Sequence, residues 1–411
     1  MTIDDLPYLN VFSPEYAADP NSVIDPVRAV SPLARSERGV EILAYSDCED
    51  LLRDTGLATG FIEMFEASGI SEGPAVDAFK FGIVESEGAD HTRLRKAVAR
   101  YFTARKIESL RATAHDLVKL WLVESAEQGT IDFEAAIGRR LPASLFCMLI
   151  GAPLEDSGAM AEYSDGVTRI FQYDPKHRDF IDSRCAELGD YIRRLMGQRR
   201  AAPGDDLLSV LVAAQDSGQL TETEVVSMCM VLLGGSTDTT NAQMCMNTLA
   251  LARHPEAWAL LREHPEHVRA AVAEAVRYAP AMISDVRVAR QAAEFAGRKM
   301  PQGTMMHANI AAANFDATIF QDPKRFDVLR DPGPGGLNFG RGRHFCLGRP
   351  LTIMAQEEVV RAMLELWSQF ELTGEPGIWG SPFPLRAGVV PLKFELTEDW
   401  DRDLDPTTLR P

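Results

Sequence analysis

The sequence predicts a mainly α-helical fold with smaller β-sheets, an α+β arrangement. Three observations carry that reading. Helical periodicity dominates the 411 residues, strand-like runs lie mainly near the two ends, and one capped stretch is long enough to cross an entire domain. That stretch begins at Thr221-Glu222-Thr223-Glu224, a capping box, and meets no proline before Pro255. Roughly thirty residues therefore run as one helix about 45 Å long.

In chain order, Val40 to Tyr45 reads as a strand, and Ser46 and Asp47 offer a cap for a short helix through Leu51 and Leu52. From Thr55 to Ser86 the periodicity is weak, glycines recur, and Phe61, Phe65, Phe79 and Phe81 read as exposed. A loop that long is expected to be a lid or binding segment. Amphipathic helices follow at 91 to 101, 106 to 128 and 140 to 150, with another pair between Glu155 and Arg200 that ends in the linker Ala201 to Asp206. Pro255 and Pro265 each start a helix, which explains the likeness of His254-Pro255-Glu256 to His264-Pro265-Glu266 without a repeat. Asp331 to Gly336 is irregular and leads straight toward Cys346, while Glu398 to Pro411 reads as an acidic tail.

With 45% hydrophobic and 25% charged residues the chain has an ordinary globular composition, neither disordered nor fibrous. Its 42 basic and 60 acidic residues give a net charge of -18, which argues against nucleic acid or an anionic membrane as a general partner. The start, Met1 to Pro7, has neither a basic nor an apolar leader segment, and the richest apolar run, Met228 to Gly235, is far too short for a membrane span. A cytoplasmic protein is expected. The cysteines are scattered without C-x-x-C spacing, so neither a disulfide framework nor a zinc site is expected. Cys48, Cys147, Cys185, Cys229 and Cys245 read as core thiols.

Cys346 differs from the others in its surroundings: Phe339-Gly340-Arg341-Gly342-Arg343-His344-Phe345-Cys346-Leu347-Gly348. A lone cysteine is by default a small buried hydrophobe. Here the glycines allow positive φ, a tight turn and close approach over the sulfur, a framing that suits a thiolate bound to a large flat cofactor. The pattern F-G-x-G-x-H-x-C-x-G resembles the haem-binding signature of the cytochromes P450, and the resemblance spans roughly residues 30 to 395. It implies a P450-type triangular prism fold with haem b between the long central helix and the helix after the cysteine. The Cys346 thiolate is then the axial ligand of the iron, with Phe339, Gly340 and His344 against the cofactor. A single domain over 1–411 is implied, with 1–30 and 396–411 as a peripheral extension and tail.

Further motifs fall in the order the resemblance requires. His91 and Arg95 share one helix face at i,i+4, as a carboxylate clamp or a solvated basic face; resembling the family's H-x-x-x-R helix, they would bind haem propionates, as would Arg287. Glu274 and Arg277, at i,i+3, resemble the structural E-x-x-R pair, with Arg325 of Asp322-Pro323-Lys324-Arg325-Phe326 as the third member. In mid-helix, Gly234-Gly235-Ser236-Thr237-Asp238-Thr239-Thr240 gathers poor helix formers, so a kink or a distorted turn is expected. The run resembles the family's A/G-G-x-D/E-T segment, making Thr239 the oxygen-pocket hydroxyl and Asp238 the acid of a proton relay. Three departures stand out: Ser236 for a second glycine, Gly336 for a frequent histidine, and Thr352-Ile353-Met354-Ala355 for the frequent A-R-x-E.

The implied activity is insertion of one atom of dioxygen into a small hydrophobic substrate by a monomer, with electrons from a ferredoxin and its NAD(P)H-dependent reductase. Arg93, Lys96, Arg100, Arg105, Lys106, Arg341, Arg343 and Arg349 form basic clusters that suit an acidic ferredoxin or are ordinary surface charge. The pocket is expected to draw on residues 57 to 86, the region of Phe171, the long helix before Thr239, Met282 to Ser284, and a loop near Phe383. These are mostly apolar and suit a terpenoid, steroid, fatty or aromatic compound. Two rivals remain: a peroxide-driven oxygenase, which needs no proton relay, and a non-enzymatic haem sensor or carrier.

Overall fold

The N-terminal third holds short helices and strands, with its longer helices only from residue 88 onward. A computed structural model describes residues 3–172, 174–379 and 385–398. Two proline-started helices, α1 (Pro14–Ala18) and α2 (Pro20–Arg28), are capped by Ser13 and Asp19, whose side chains accept from the backbone N–H groups of Tyr16 and Asn21. The hairpin β1 (Leu33–Ser36) and β2 (Gly39–Ile42) is followed by α3 (Tyr45–Arg53). Ser46 and Asp47 lie inside α3 and do not cap it; the Tyr45 N–H donates instead to Asp316 Oδ2 at 2.9 Å.

The expected loop from 55 to 86 holds β3 (Ala58–Thr59), α4 (Phe61–Ala67) and α5 (Pro74–Phe81). Their support is tertiary: Phe61, Phe65 and Phe79 turn inward onto Phe171 with ring centroids 5.1 to 5.9 Å apart, leaving only Phe81 exposed among the four. Helices α6 (Gly88–Ala99), α7 (Ala104–Ser109) and α8 (Arg111–Glu124) come next; Leu110 breaks the single helix expected over 106 to 128. Strand β4 (Thr130–Asp132) precedes α9 (Arg140–Ile150), α10 (Ser157–Thr168), α11 (Arg178–Ala201) and α12 (Leu207–Asp216). The last was not foreseen; Asp206 caps it by accepting from Ser209 N–H at 2.7 Å.

Helix α13 (Glu222–Arg253) has 32 residues, and its capping box forms on both sides. It is buried on most faces and packs against α5, α9, α10 and, later in the chain, α15. After it come α14 (Pro255–Glu263) and α15 (Val268–Tyr278), then β5 (Ser284–Val288), β6 (Ala293–Phe295), β7 (Arg298–Met300), β8 (Met305–Asn309) and α16 (Ile310–Ala313). Of these strands, away from either end, β5 and β8 complete a five-stranded sheet of order β1-β2-β8-β5-β3, while β6 and β7 pair only with each other. Helix α17 (Arg349–Leu366) leads to β9 (Trp367–Leu372), the pair β10 (Ile378–Trp379) and β11 (Arg386–Ala387), and β12 (Pro391–Leu396).

The N-terminal segment is not peripheral. Leu9, Tyr16 and Ile24 are buried in one core cluster with Leu43 and Ile283. Pro7 to Leu9 runs along β1, where Leu9 N–H donates to Arg35 O and Arg35 N–H to Pro7 O, each at 2.9 Å. Each such apolar side chain, fully buried, contributes about 1.5–3 kcal/mol. The expected tail begins later than 396, since Leu396 closes β12 and Thr397 N–H still donates to Leu366 O; residues 399–411 lie outside the described residues.

The frame around α15 is braced by a buried ion pair. Arg277 Nε and Nη2 donate to the two Glu274 oxygens at 2.7 and 2.8 Å, and Arg277 Nη1 also reaches Asn314 O and Pro323 O. The third cation is Arg330, not Arg325. Arg330 Nε donates to Glu274 Oε1 at 3.0 Å, whereas the Arg325 side chain is 72% exposed and, among the described residues, forms an ion pair only with Asp327. Arg325 contributes its backbone oxygen instead, accepting from Arg330 Nη2 at 2.9 Å.

Candidate active site: a cavity between the long helix and the cysteine loop

The cysteine loop turns on two glycines in the left-handed region, Gly340 at φ 66° and Gly342 at φ 67°. A Cβ at Gly342 would meet Leu52 O at 2.9 Å and Arg53 Cα at 3.0 Å, so only glycine fits there. Cys346 N–H donates to Phe339 O at 2.8 Å, which pins the sulfur just ahead of the α17 N-terminus. Burial pushes the thiol up, while the N–H groups of Gly348 and Arg349 and the charges of Arg95 and Arg349 pull it down. Those donors favour a thiolate once a cation lies over it. The other five cysteines are buried, and Cys346 alone is partly exposed.

Over the sulfur lies a cavity of about 300 Å³, lined by both the loop and α13. His91, Arg95, Arg287, His344, Phe339 and Gly340 all reach it. Two of these carry orphaned nitrogens: among the described residues, His91 Nε2 and Arg287 Nη2 are buried with no hydrogen-bond partner. The rest of Arg287 is held, since Nη1 donates to Asp285 Oδ1 at 3.0 Å and to Val286 O at 2.7 Å. Burial, then His344 and Arg95, hold His91 down at about 4, so it is neutral. Arg95 Nη2 donates to Phe345 O at 2.6 Å, and the His344 ring lies 4.4 Å from that of His91, tilted at 53°, with Nε2 facing Glu87 at 3.3 Å. Buried donors without acceptors cost free energy unless an anion meets them. The chemistry fits a haem whose carboxylates would face these donors and whose iron would face the cysteine.

On the other wall, Gly235, Ser236 and Thr239 of α13 line the cavity. The helix assignment is continuous there, and the Thr239 hydroxyl donates back to Gly235 O at 2.6 Å and that of Thr237 to Leu233 O at 2.7 Å. Gly234 is buried against α10 instead, where a Cβ would come within 3.1 Å of Thr168 Cγ2. Asp238 is drawn to Arg386 of β11, whose Nη2 donates to Asp238 Oδ2 at 3.0 Å and to Thr168 O at 2.7 Å. Burial raises the Asp238 carboxyl to about 6, with Arg386 opposing and Asp165 adding to the rise.

Several contributors escaped sequence reasoning. A Cβ at Gly336 would meet Asn338 Oδ1 at 2.5 Å and Asn314 Oδ1 at 3.0 Å, so the amides fill the space a histidine would take, and Asn338 lines the cavity. Thr352, singled out only as a departure, faces Thr240 across 3.2 Å and ties α17 to α13. Gln243, on the cavity wall, accepts from Ala281 N–H at 2.9 Å and donates to Asn247, which in turn donates to Gln356 of α17. Of the expected pocket segments, Thr59, Phe61, Ile83, Val84 and Met282 line the cavity and Phe171 stands behind Phe61. The loop near Phe383 lies outside the described residues.

Comparison with known proteins agrees with this geometry. The sequence pattern of the family described as Cytochrome P450 matches residues 73–377. The chain is 30% identical over 374 residues to a luteothin monooxygenase of Streptomyces thioluteus, covering 90% of this chain and 92% of the relative. It is 30% identical over 384 residues to the polyketide biosynthesis cytochrome P450 PksS of Bacillus subtilis, covering 88% and 92%. Among solved structures, epothilone B-bound cytochrome P450epoK superposes with a TM-score of 0.87 at 27% identity, covering 93% of this chain and 98% of that one.

Proposed function

This chain belongs to the cytochrome P450 family, a haem-thiolate monooxygenase, and on that footing we propose that Cys346 ligates the haem and that the enzyme oxidises a neutral, apolar organic compound. The observation that carries the ligand assignment is the pairing of a loop-displayed thiol with orphaned donors, His91 Nε2 and Arg287 Nη2, on one cavity. Bound haem supplies dioxygen activation, with the thiolate pushing electron density toward O–O cleavage.

The protein's own groups do the rest. His91, Arg95 and Arg287 bind the cofactor carboxylates, with His344 and Glu87 setting the donor orientation. Thr239 presents a hydroxyl to the cavity, and Asp238, raised to about 6, is an acid able to hold a proton near neutrality and release it toward that side. The walls above Thr239 are apolar, from Phe61, Ile83, Val231, Leu232 and Met282, and exclude water. Apart from Cys346, the groups facing the cofactor carboxylates and Asp285, which is paired with Arg287, the cavity lining brings no charge, so a neutral substrate is favoured. The relatives' printed names include polyketide biosynthesis, and a polyketide or similarly sized natural product is the class we would test first.

Electrons arrive, in this reading, from an acidic ferredoxin and its reductase. Of the basic side chains near the cysteine, Arg93, Lys106, Arg341 and Arg343 are engaged by Glu224, Asp205, Glu49 and Glu87. Lys96, Arg100, Arg105 and Arg349 are exposed and, among the described residues, form no ion pair, which supports their use as the docking charges. Among the described residues no helix is long and apolar enough to cross a membrane. Cys346→Ala is expected to abolish the thiolate signature in the spectrum of the reduced carbon monoxide complex; survival of that signature would rule out the assignment. A binding screen over polyketides, terpenoids, steroids and fatty acids, read as a spin-state shift, tests the substrate class. Turnover with peroxide but none with ferredoxin would favour a peroxide-driven oxygenase.

A further inference from the structure

Glu85 is buried, its side chain 3% exposed, and it follows directly after Ile83 and Val84, which line the cavity. Its Oε1 accepts from the Phe61 N–H at 2.7 Å, and Phe61 lines the same cavity. Two residues on, Glu87 Oε1 accepts from the Thr59 N–H at 3.0 Å, and the Thr59 hydroxyl donates to Val84 O at 3.0 Å. Two carboxylates thus take the N–H groups of Thr59 and Phe61 and join one lining stretch to the other. The second Glu85 oxygen meets Arg290 Nη2 at 3.2 Å, and Arg290 Nε donates to Glu63 Oε1 of α4 at 2.9 Å. Arg290 stands two residues past β5 with its side chain 47% exposed, so this run of contacts leads from solvent to the cavity wall.

We propose that Glu85 is a positioning residue for substrate selectivity: by holding the Phe61 N–H and Arg290 at once, it fixes the wall that Phe61 gives the cavity and so limits the bulk of the apolar compound admitted. The proposal rests on the reading of this cavity as the substrate pocket. A ring packed on Phe79 and Phe171 gives way to a larger ligand by moving with its backbone, and that backbone is what Glu85 holds. Stability alone would not select this arrangement. Burial raises the Glu85 carboxyl to about 7 and Glu63 adds to the rise, while the Phe61 N–H, Arg290 and the Thr59 hydroxyl oppose it. The folded chain therefore holds this proton more tightly than the unfolded one, and stability falls as pH climbs from the ordinary value of 4.5 to about 7. Against burial, His344, the Thr59 N–H and Arg343 hold Glu87 down, so it stays ionised while Glu85 changes charge. A neutral Glu85 grips both donors more weakly than the anion does, and the wall slackens below about 7.

The test uses two neutral haem ligands of different bulk, ethyl isocyanide and benzyl isocyanide, titrated into the reduced holoenzyme and read by the Soret band. Their affinity ratio cancels effects at the iron and reports the wall. In the parent, the ratio is expected to favour benzyl isocyanide about tenfold more at about pH 5.5 than at about pH 8.5, the scale on which an apolar pocket discriminates one methylene, with a midpoint at about 7. Glu85→Gln still offers an oxygen to the Phe61 N–H but brings no charge to Arg290, and is expected to keep the slackened ratio at every pH. Arg290→Gln removes a charge that favours the Glu85 anion and is expected to move the midpoint upward. A ratio that is flat with pH in the parent, or that still changes in a folded Glu85→Gln, overturns the proposal. So does a Glu85→Gln that melts lower at about pH 8.5 with its ratio unchanged, since Glu85 would then be structural only. Failure of both ligands to move the Soret band would overturn the reading of the cavity itself, and the proposal with it.

Discussion

Arg287 is 2% exposed yet leaves one guanidinium nitrogen without a partner, an arrangement that costs free energy until an anion arrives. A charge-assisted hydrogen bond of about 1.5–3 kcal/mol is expected there once haem is bound. Arg287→Gln should therefore lose haem to an apo-globin acceptor at least about tenfold faster than the parent, and equal rates would remove Arg287 from the cofactor's partners. The cysteine, the histidine and the arginines converging on this cavity were legible in the sequence because a fixed spacing of chemically distinct residues marks them. Arg330 was not. It lies five residues beyond Arg325 in an aperiodic segment, where no repeat tells which basic side chain turns inward. Thermal melts should separate them: Arg330→Ala is expected to cost about 2–3 kcal/mol by leaving Glu274 underpaired, and Arg325→Ala under about 0.5 kcal/mol.

Helices α8 and α17 are clasped by ionisable side chains. Arg111 Nη1 contacts Glu357 and Glu358 of α17, and His115 Nδ1 and Nε2 approach Glu358 and Glu365 at 3.1 and 3.2 Å. Burial works against the Glu358 anion, but His115, Arg111 and Arg361 hold it down at about 2, so its contribution is complete above its ordinary value near 4.5 and fades as pH falls toward 2. Glu358 and then Glu365 raise His115 to about 9, so its contribution is complete below about 6.5 and fades as pH rises through 9. The clasp is strongest between those limits. His115→Gln should lower stability by about 1 kcal/mol near pH 6 and flatten the loss between pH 6 and 9.5; an unchanged slope in thermal melts would show that the clasp does not titrate. Sequence periodicity found α9 and α13 because long apolar stripes and a capping box mark them. It missed the helices within 55 to 86, which depend on Phe171 about a hundred residues away.

Across the whole molecule, α13 threads the core while the cysteine loop leads into α17, and Thr240–Thr352 with Gln243–Asn247–Gln356 ties the two helices. The class of fold was readable from helix content; the sheet was not, because β5 and β8 are short and pair with strands more than two hundred residues distant. A last consequence concerns the solitary molecule in concentrated solution. Strand β1 ends the five-stranded sheet, and an uncovered edge of that kind recruits strands from other copies. Pro7 to Leu9 satisfies the outward hydrogen bonds of Arg35 and so blunts that edge. Removing residues 1–12 is expected to leave haem binding in place but make the protein aggregate, visible as concentration-dependent light scattering that the full chain lacks. The first dozen residues would then act as a built-in guard against amyloid-like pairing.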